Sequence, residues 1–258
     1  MKKTQYPIVL VHGMMAKDFC FWRAFRGISS FLKAQGFTVY VTNQDGVGVV
    51  STNAAQLKAE ILEILKKENC EKVNLIAHSK GGLDCRYMIS RLDMAGSVAS
   101  LTTLSTPHHG SGLSGQLLKM PRFLMITVAF FTNLFYRICG DRNPDIIQLG
   151  QDLTQASMEQ FNRDIPNDPS VYYQSYSSAV TGKKASIPIP FKVSRHFEQD
   201  ETDGLVSVSS SQWGNYRGKI GSNTDHYKMV GIYGTERKLA DVGLFYLQIV
   251  LELQAMGF

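Results

Sequence analysis

Apolar residues fall along this chain in two alternating rhythms. Residues 7–11, 37–41, 73–77 and Val98–Leu104 are short apolar runs with the length and continuity of strands buried on both faces. Between them, apolar residues recur at helical spacing. Residues 21–35 predict a helix stopped at Gly36, and a second helix from Ala55 carries Leu57, Ile61, Ile64 and Leu65 on one face. A third follows the run at 73–77. Strand and helix alternating in this way predict an α/β fold, with a mostly parallel central sheet flanked by helices. Residues 172–179 resume the sheet, and a last helix sets Leu239, Val242, Tyr246, Ile249, Val250 and Leu253 on one face.

The rhythm breaks at residues 111–166, which predict a helical insertion above the sheet inside a single domain of residues 1–258. Within it, residues 123–136 are the most apolar segment of the protein. The segment falls short of the ~20 residues that span a bilayer, contains Asn133 and is bounded by Arg122 and Arg137. The expectation is a lid whose Phe123, Leu124, Ile126, Phe130, Phe131 and Leu134 line an acyl pocket. A plain core helix and a segment inserting in a membrane are the alternatives.

Composition removes several function classes. The 27 basic and 22 acidic residues leave a net charge of +5 with no clustering, which argues against nucleic acid as a partner. Cys20, Cys70, Cys85 and Cys139 form no C-x-x-C pair, so neither zinc nor a dithiol motif is indicated. The first strand follows Met1-Lys2-Lys3 too closely for a signal peptide, so the expected location is cytoplasmic, with secretion of a trimmed chain left open. The oligomeric state is not legible.

The chemistry gathers around Ala77-His78-Ser79-Lys80-Gly81, at the junction of the central strand and its helix. This is a G-x-S-x-G turn with alanine in the first glycine position, and it would expose the Ser79 hydroxyl above the sheet as a nucleophile. A serine that merely caps the helix is the plainer reading. His12-Gly13 ends the first strand and would let the Met14 N–H face a pocket, where it and the Lys80 N–H could bind an oxyanion; an ordinary β-to-α turn is the alternative. The Asn43–Gly48 loop lacks the order of a dinucleotide site.

Of six histidines, His226 alone follows the Asp203-Gly204 turn and precedes the last helix. That matches the chain order nucleophile, acid, base expected in such a fold. Ser79, Asp203 and His226 are therefore the candidate triad, with Asp200 and Glu201 as rival acids.

These residues resemble the bacterial triacylglycerol lipases of the α/β-hydrolase fold, the group that includes Pseudomonas, Burkholderia and Proteus lipases and their Firmicutes relatives. The resemblance lies in Y-P-I-V-L-V-H-G ending at Gly13, H-S-x-G-G-L followed by Arg86 and Tyr87, and L-T-T-x-x-T-P-H ending at His108. It continues through D-L-T at Asp152, F-N at Phe161 and D-G-L-V at Asp203. It implies a lipase or carboxylesterase acting on a lipid or ester through Ser79, His226 and Asp203, with an acyl-enzyme intermediate, a mobile lid after Pro107 and no cofactor.

The departures are Ala77 for glycine, and His109 where arginine is common. Lys228 and Ile232 stand where many members ligate a structural calcium, which implies that this site is lost. A soluble short-chain carboxylesterase and a non-catalytic lipid-binding scaffold remain as other readings.

Overall fold

The computed structural model describes residues 4–14, 24–25, 27–180, 200–221, 223–232 and 236–258. Among the described residues six strands form one sheet in the order β2-β1-β3-β4-β5-β6, every neighbouring pair parallel. The strands are β1 (Ile8–Val11), β2 (Val39–Val41), β3 (Val73–His78), β4 (Val98–Leu104), β5 (Tyr172–Ser177) and β6 (Asn215–Lys219). The helices are α1 (Ile28–Ala34), α2 (Val50–Glu68), α3 (Lys80–Arg91), α4 (Gly112–Leu117), α5 (Arg122–Ile138), α6 (Ile146–Asp152), α7 (Gln155–Asp164) and α8 (Glu236–Ala255).

Side-chain alternation along the central strands assigns the two faces of the sheet. Ile8 and Leu10 of β1 and Ile76 of β3 pack on one face, with Leu32 of α1 and Tyr246, Ile249 and Val250 of α8. Val9, Val11, Leu75 and Ala77 point the other way, against Leu57 and Ile61 of α2 and Cys85 and Met88 of α3. Burying a Val, Leu or Ile side chain contributes about 1.5–3 kcal/mol, so a one-residue slip of β1 would exchange its packing on both faces. A third apolar cluster joins Val47, Val50 and Leu83 to Tyr136, Leu149, Leu153 and Met158, fastening α5 to α7 onto the body of the fold.

Some boundaries depart from expectation. The helix expected at 21–35 is described only as α1, and residues 15–23 and 26 lie outside the described residues. β2 starts at Val39, and α2 begins at Val50 rather than Ala55, after Val49 in extended conformation. β6 carries no apolar run because it is the polar edge of the sheet, its residues alternating between exposed and half-buried.

Candidate active site

Ser79 sits between β3 and α3 with φ 53° and ψ −133°, a backbone setting that non-glycine residues rarely adopt. Such a setting costs about 1–3 kcal/mol and persists only where the surroundings enforce it. Here the Ser79 N–H donates to the Leu104 carbonyl at 2.9 Å and the Thr106 hydroxyl donates to the Ser79 carbonyl at 2.7 Å. Three glycines make room for the turn. A Cβ on Gly13 would lie 2.5 Å from the Ser79 Cβ, one on Gly81 2.5 Å from the His12 carbonyl oxygen, and one on Gly82 2.2 Å from Thr106 Oγ1. Ala77 falls inside β3, paired with Val11 and Thr103, and its methyl packs toward α2 and α3. The motif glycine is dispensable at that position because the chain is still regular strand.

The other groups reach Ser79 from neighbouring strand ends, all at the carboxyl edge of the parallel sheet, where open α/β folds place their sites. His226 Nε2 lies 2.9 Å from Ser79 Oγ, and His226 Nδ1 lies 2.7 Å from Asp203 Oδ2. All three side chains are buried. Asp203 Oδ1 accepts from the Leu205 and Val206 N–H groups at 3.0 and 2.9 Å, and Oδ2 also accepts from the Ser178 hydroxyl at 3.3 Å. A carboxylate oxygen can only accept. The His226 proton therefore sits on Nδ1, leaving Nε2 to accept from the Ser79 hydroxyl.

The rival acids point elsewhere. Asp200 accepts from the Ser209 N–H and Glu201 pairs with Lys219, both at the surface. His196 lies outside the described residues. His78, next to the nucleophile, is buried with its ring centre 4.4 Å from that of His226, and burial drives it well below the usual histidine range, so it stays neutral. Met14 lines the pocket beside Ser79. Lys80 opens α3, where first-turn amides lack an intrahelical acceptor.

A cavity of about 180 Å³ opens onto Ser79 and His226. Its walls are largely apolar and combine Leu118, Met125, Val128, Ala129, Ile146 and Ile147 of the insertion with Met14, Leu205, Val206, Val230 and Ile232 outside it. The six residues expected to line it do not. Phe123, Leu124, Ile126, Phe130, Phe131 and Leu134 lie on the outer side of α5, with Phe123 74% and Phe131 63% exposed. The helix is apolar on most of its circumference, with Arg122, Asn133 and Arg137 together on the remaining side, and that pattern does not match the face the fold buries. Met125 and Ala129 face the cavity, and Val128, itself exposed on one side, stands at its rim. Among the described residues no helix is long and apolar enough to cross a membrane.

Two aspartates clasp the root of α5. Asp141 accepts from the Gly46 and Val47 N–H groups at 3.0 and 2.9 Å, and Asp45 accepts from those of Arg142 and Asn143 at 3.0 and 2.8 Å. Sequence reasoning missed both, along with Ser178. At the positions where the resemblance implies calcium ligands, Lys228 Nζ pairs with Asp225 at 2.9 Å and Ile232 is buried in the apolar core. An ammonium and an alkyl group do not fit a site for a hard cation.

A family model described as palmitoyl protein thioesterase matches residues 7–180. Triacylglycerol lipase 2 of Saccharomyces cerevisiae is 32% identical over 254 residues, covering 90% of this chain and 73% of that protein. A triacylglycerol lipase of Burkholderia plantarii is 34% identical over 180 residues, covering 64% of this chain and 49% of its own. The chain thus spans about half the length of that bacterial relative. The mature Bacillus licheniformis lipase BlEst2 superposes with a TM-score of 0.72 at 20% identity, over 97% of this chain and 93% of that one.

Proposed function

The chain belongs to the lipase family of the α/β-hydrolases, and on that premise we propose that it hydrolyses carboxylic esters of lipids through Ser79, His226 and Asp203. The single observation behind this assignment of residues is the unbroken hydrogen-bond line from Asp203 through His226 to Ser79, beside an apolar cavity. Ser79 Oγ attacks the ester carbonyl carbon while its proton passes to His226 Nε2, and Asp203 stabilises the imidazolium. The Met14 and Lys80 amides hold the oxyanion, each such donor being worth about 2.7–4 kcal/mol in the transition state. His226 then protonates the departing alcohol as its bond to the acyl carbon breaks. Water, deprotonated by the same histidine, attacks the acyl carbon, and the acid leaves as the bond to Ser79 Oγ breaks and His226 returns the proton to that oxygen. No cofactor enters these steps.

The apolar cavity favours an acyl chain over a small polar acid, and the exposed outer face of α5 between Arg122 and Arg137 suits transient contact with a lipid interface. Helices α4 to α7 would then act as the lid. The family-model match supports a second substrate, the long-chain S-acyl thioester, which the same acyl-enzyme chemistry would open. A chain-length series of p-nitrophenyl esters, acyl thioesters and emulsified triacylglycerol tests the reading. Activity is expected to peak above butyrate and extend to the emulsion. A maximum at acetate with no action on emulsion would leave only a short-chain esterase.

The His226 loop is held in this reading by Lys228 in place of calcium. Asp225 accepts from the Tyr227 and Lys228 N–H groups at 3.2 and 2.9 Å while pairing with the Lys228 ammonium. Activity and melting temperature are expected to be unchanged by a chelator; a large loss of either that calcium restores would overturn this.

A further inference from the structure

Lys80, the residue after the nucleophile, carries its ammonium into the protein interior. Lys80 and Asp84 are each about 1% exposed, and Lys80 Nζ lies 2.7 and 2.9 Å from the two Asp84 oxygens. A pair this deeply buried gives up the hydration of both ions, and an apolar pair of similar volume is commonly as stable or more so. Stability alone therefore gives no reason for it. The Lys80 ammonium is held in the interior by Asp84, so it does not meet the substrate.

The pair does supply direction. Asp84 lies one turn further along α3, and its Oδ2 accepts from Asn53 Nδ2 of α2 at 3.3 Å. The same Asn53 nitrogen donates to the Asp45 carbonyl at 2.8 Å. Asp45 in turn receives the Arg142 and Asn143 amides at the end of α5, in the clasp that Asp141 completes. A continuous polar path, buried up to Asp45 and ending at the exposed Arg142 and Asn143, thus runs from the first turn of α3 to the root of α5.

We infer that Lys80, Asp84, Asn53 and Asp45 form a positioning network that fixes the Lys80 peptide for oxyanion binding and ties its setting to the root of the lid. The network acts through the Lys80 backbone N–H, so it rests on the esterase reading above. Lys80 is anchored at both ends: its amide belongs to the nucleophile turn, and its side chain is drawn toward α2 by Asp84. A shift of α5 at its root is passed to that anchor by polar contacts with strict distance requirements. Because oxyanion donors act through geometry, a displacement of ~1 Å is enough to cost about a hundredfold in rate.

The test uses a soluble butyrate ester, fluorophosphonate labelling and thermal melting of the full chain. The double variant Lys80→Met/Asp84→Leu replaces the pair with apolar groups and leaves no charge uncompensated. Its melting temperature is expected to hold or rise, while kcat falls about 10- to 100-fold with KM little changed and labelling slowed in step. Wild-type kcat in a stably folded double variant would reduce the pair to a structural element and overturn the inference.

Asn53→Ala keeps the ion pair and cuts the path to the lid root, so it reads the network even if the double variant does not fold. It is expected to slow both turnover and labelling severalfold; wild-type rates in this variant would remove the link to the lid. A wild-type protein with neither turnover nor adduct would instead defeat the esterase reading, an outcome distinct from either.

Discussion

Ser79→Ala is expected to lower kcat on a soluble ester by about 10⁶-fold, the order found when a triad nucleophile is removed from a serine hydrolase. The fold should survive, because the features that enforce the turn do not involve the hydroxyl. The backbone at Ser79 is held by the Leu104 carbonyl and the Thr106 hydroxyl, and Gly13 leaves the space beside its Cβ. Alanine adopts the setting at φ 53° with the same strain as serine. The melting temperature should therefore change little while turnover disappears, and stopped assays with circular dichroism would separate the two. Residual hydrolysis comparable to wild type would place the chemistry elsewhere.

Asp203→Asn should cost about 10⁴-fold in kcat, for a reason specific to this site. Oδ1 of Asp203 is held by two backbone N–H groups, from Leu205 and Val206. In the asparagine variant the carbonyl oxygen remains at that position, since an amide NH₂ there would face two donors. The NH₂ group is then directed at His226 Nδ1, where the carboxylate now stands at 2.7 Å. It donates, Nδ1 must accept, and the imidazole proton moves to Nε2, the atom that should deprotonate Ser79. The enzyme is left with the wrong tautomer in the right place. Triad members act as a unit, so adding Asp203→Asn to Ser79→Ala should cause little further loss. Steady-state kinetics of the two single variants and the double checks both magnitudes.

Much of this arrangement is legible before any coordinates. Apolar runs without alternation identify strands covered on both faces, and β4 coincides with its expected run at Val98–Leu104. The chain order of Ser79, Asp203 and His226 is readable because the fold class constrains it. Hidden features share a physical cause: their partners lie far apart in sequence. Asp45 and Asp141 exchange backbone contacts across 94 to 98 residues, and either one alone looks like an ordinary loop acid.

The phase of α5 was hidden for the opposite reason. Arg122, Asn133 and Arg137 share one side of the helix and most of its large apolar residues the other, so periodicity alone would turn the exposed phenylalanines inward. Only the cavity shows that Met125 and Ala129 face inward while the phenylalanines face out. β6 was missed because Asn215–Lys219 has no apolar run; it is recognised by its pairing with β5.

The central claim is that Ser79 is the activated nucleophile of a lipid esterase. It is tested most directly by incubating the wild-type chain with a fluorophosphonate and mapping the modified peptide by mass spectrometry. One adduct per chain is expected, on Ser79, formed together with loss of esterase activity and absent from Ser79→Ala. An adduct on a different residue, or none at all in a folded protein that still hydrolyses esters, would contradict it.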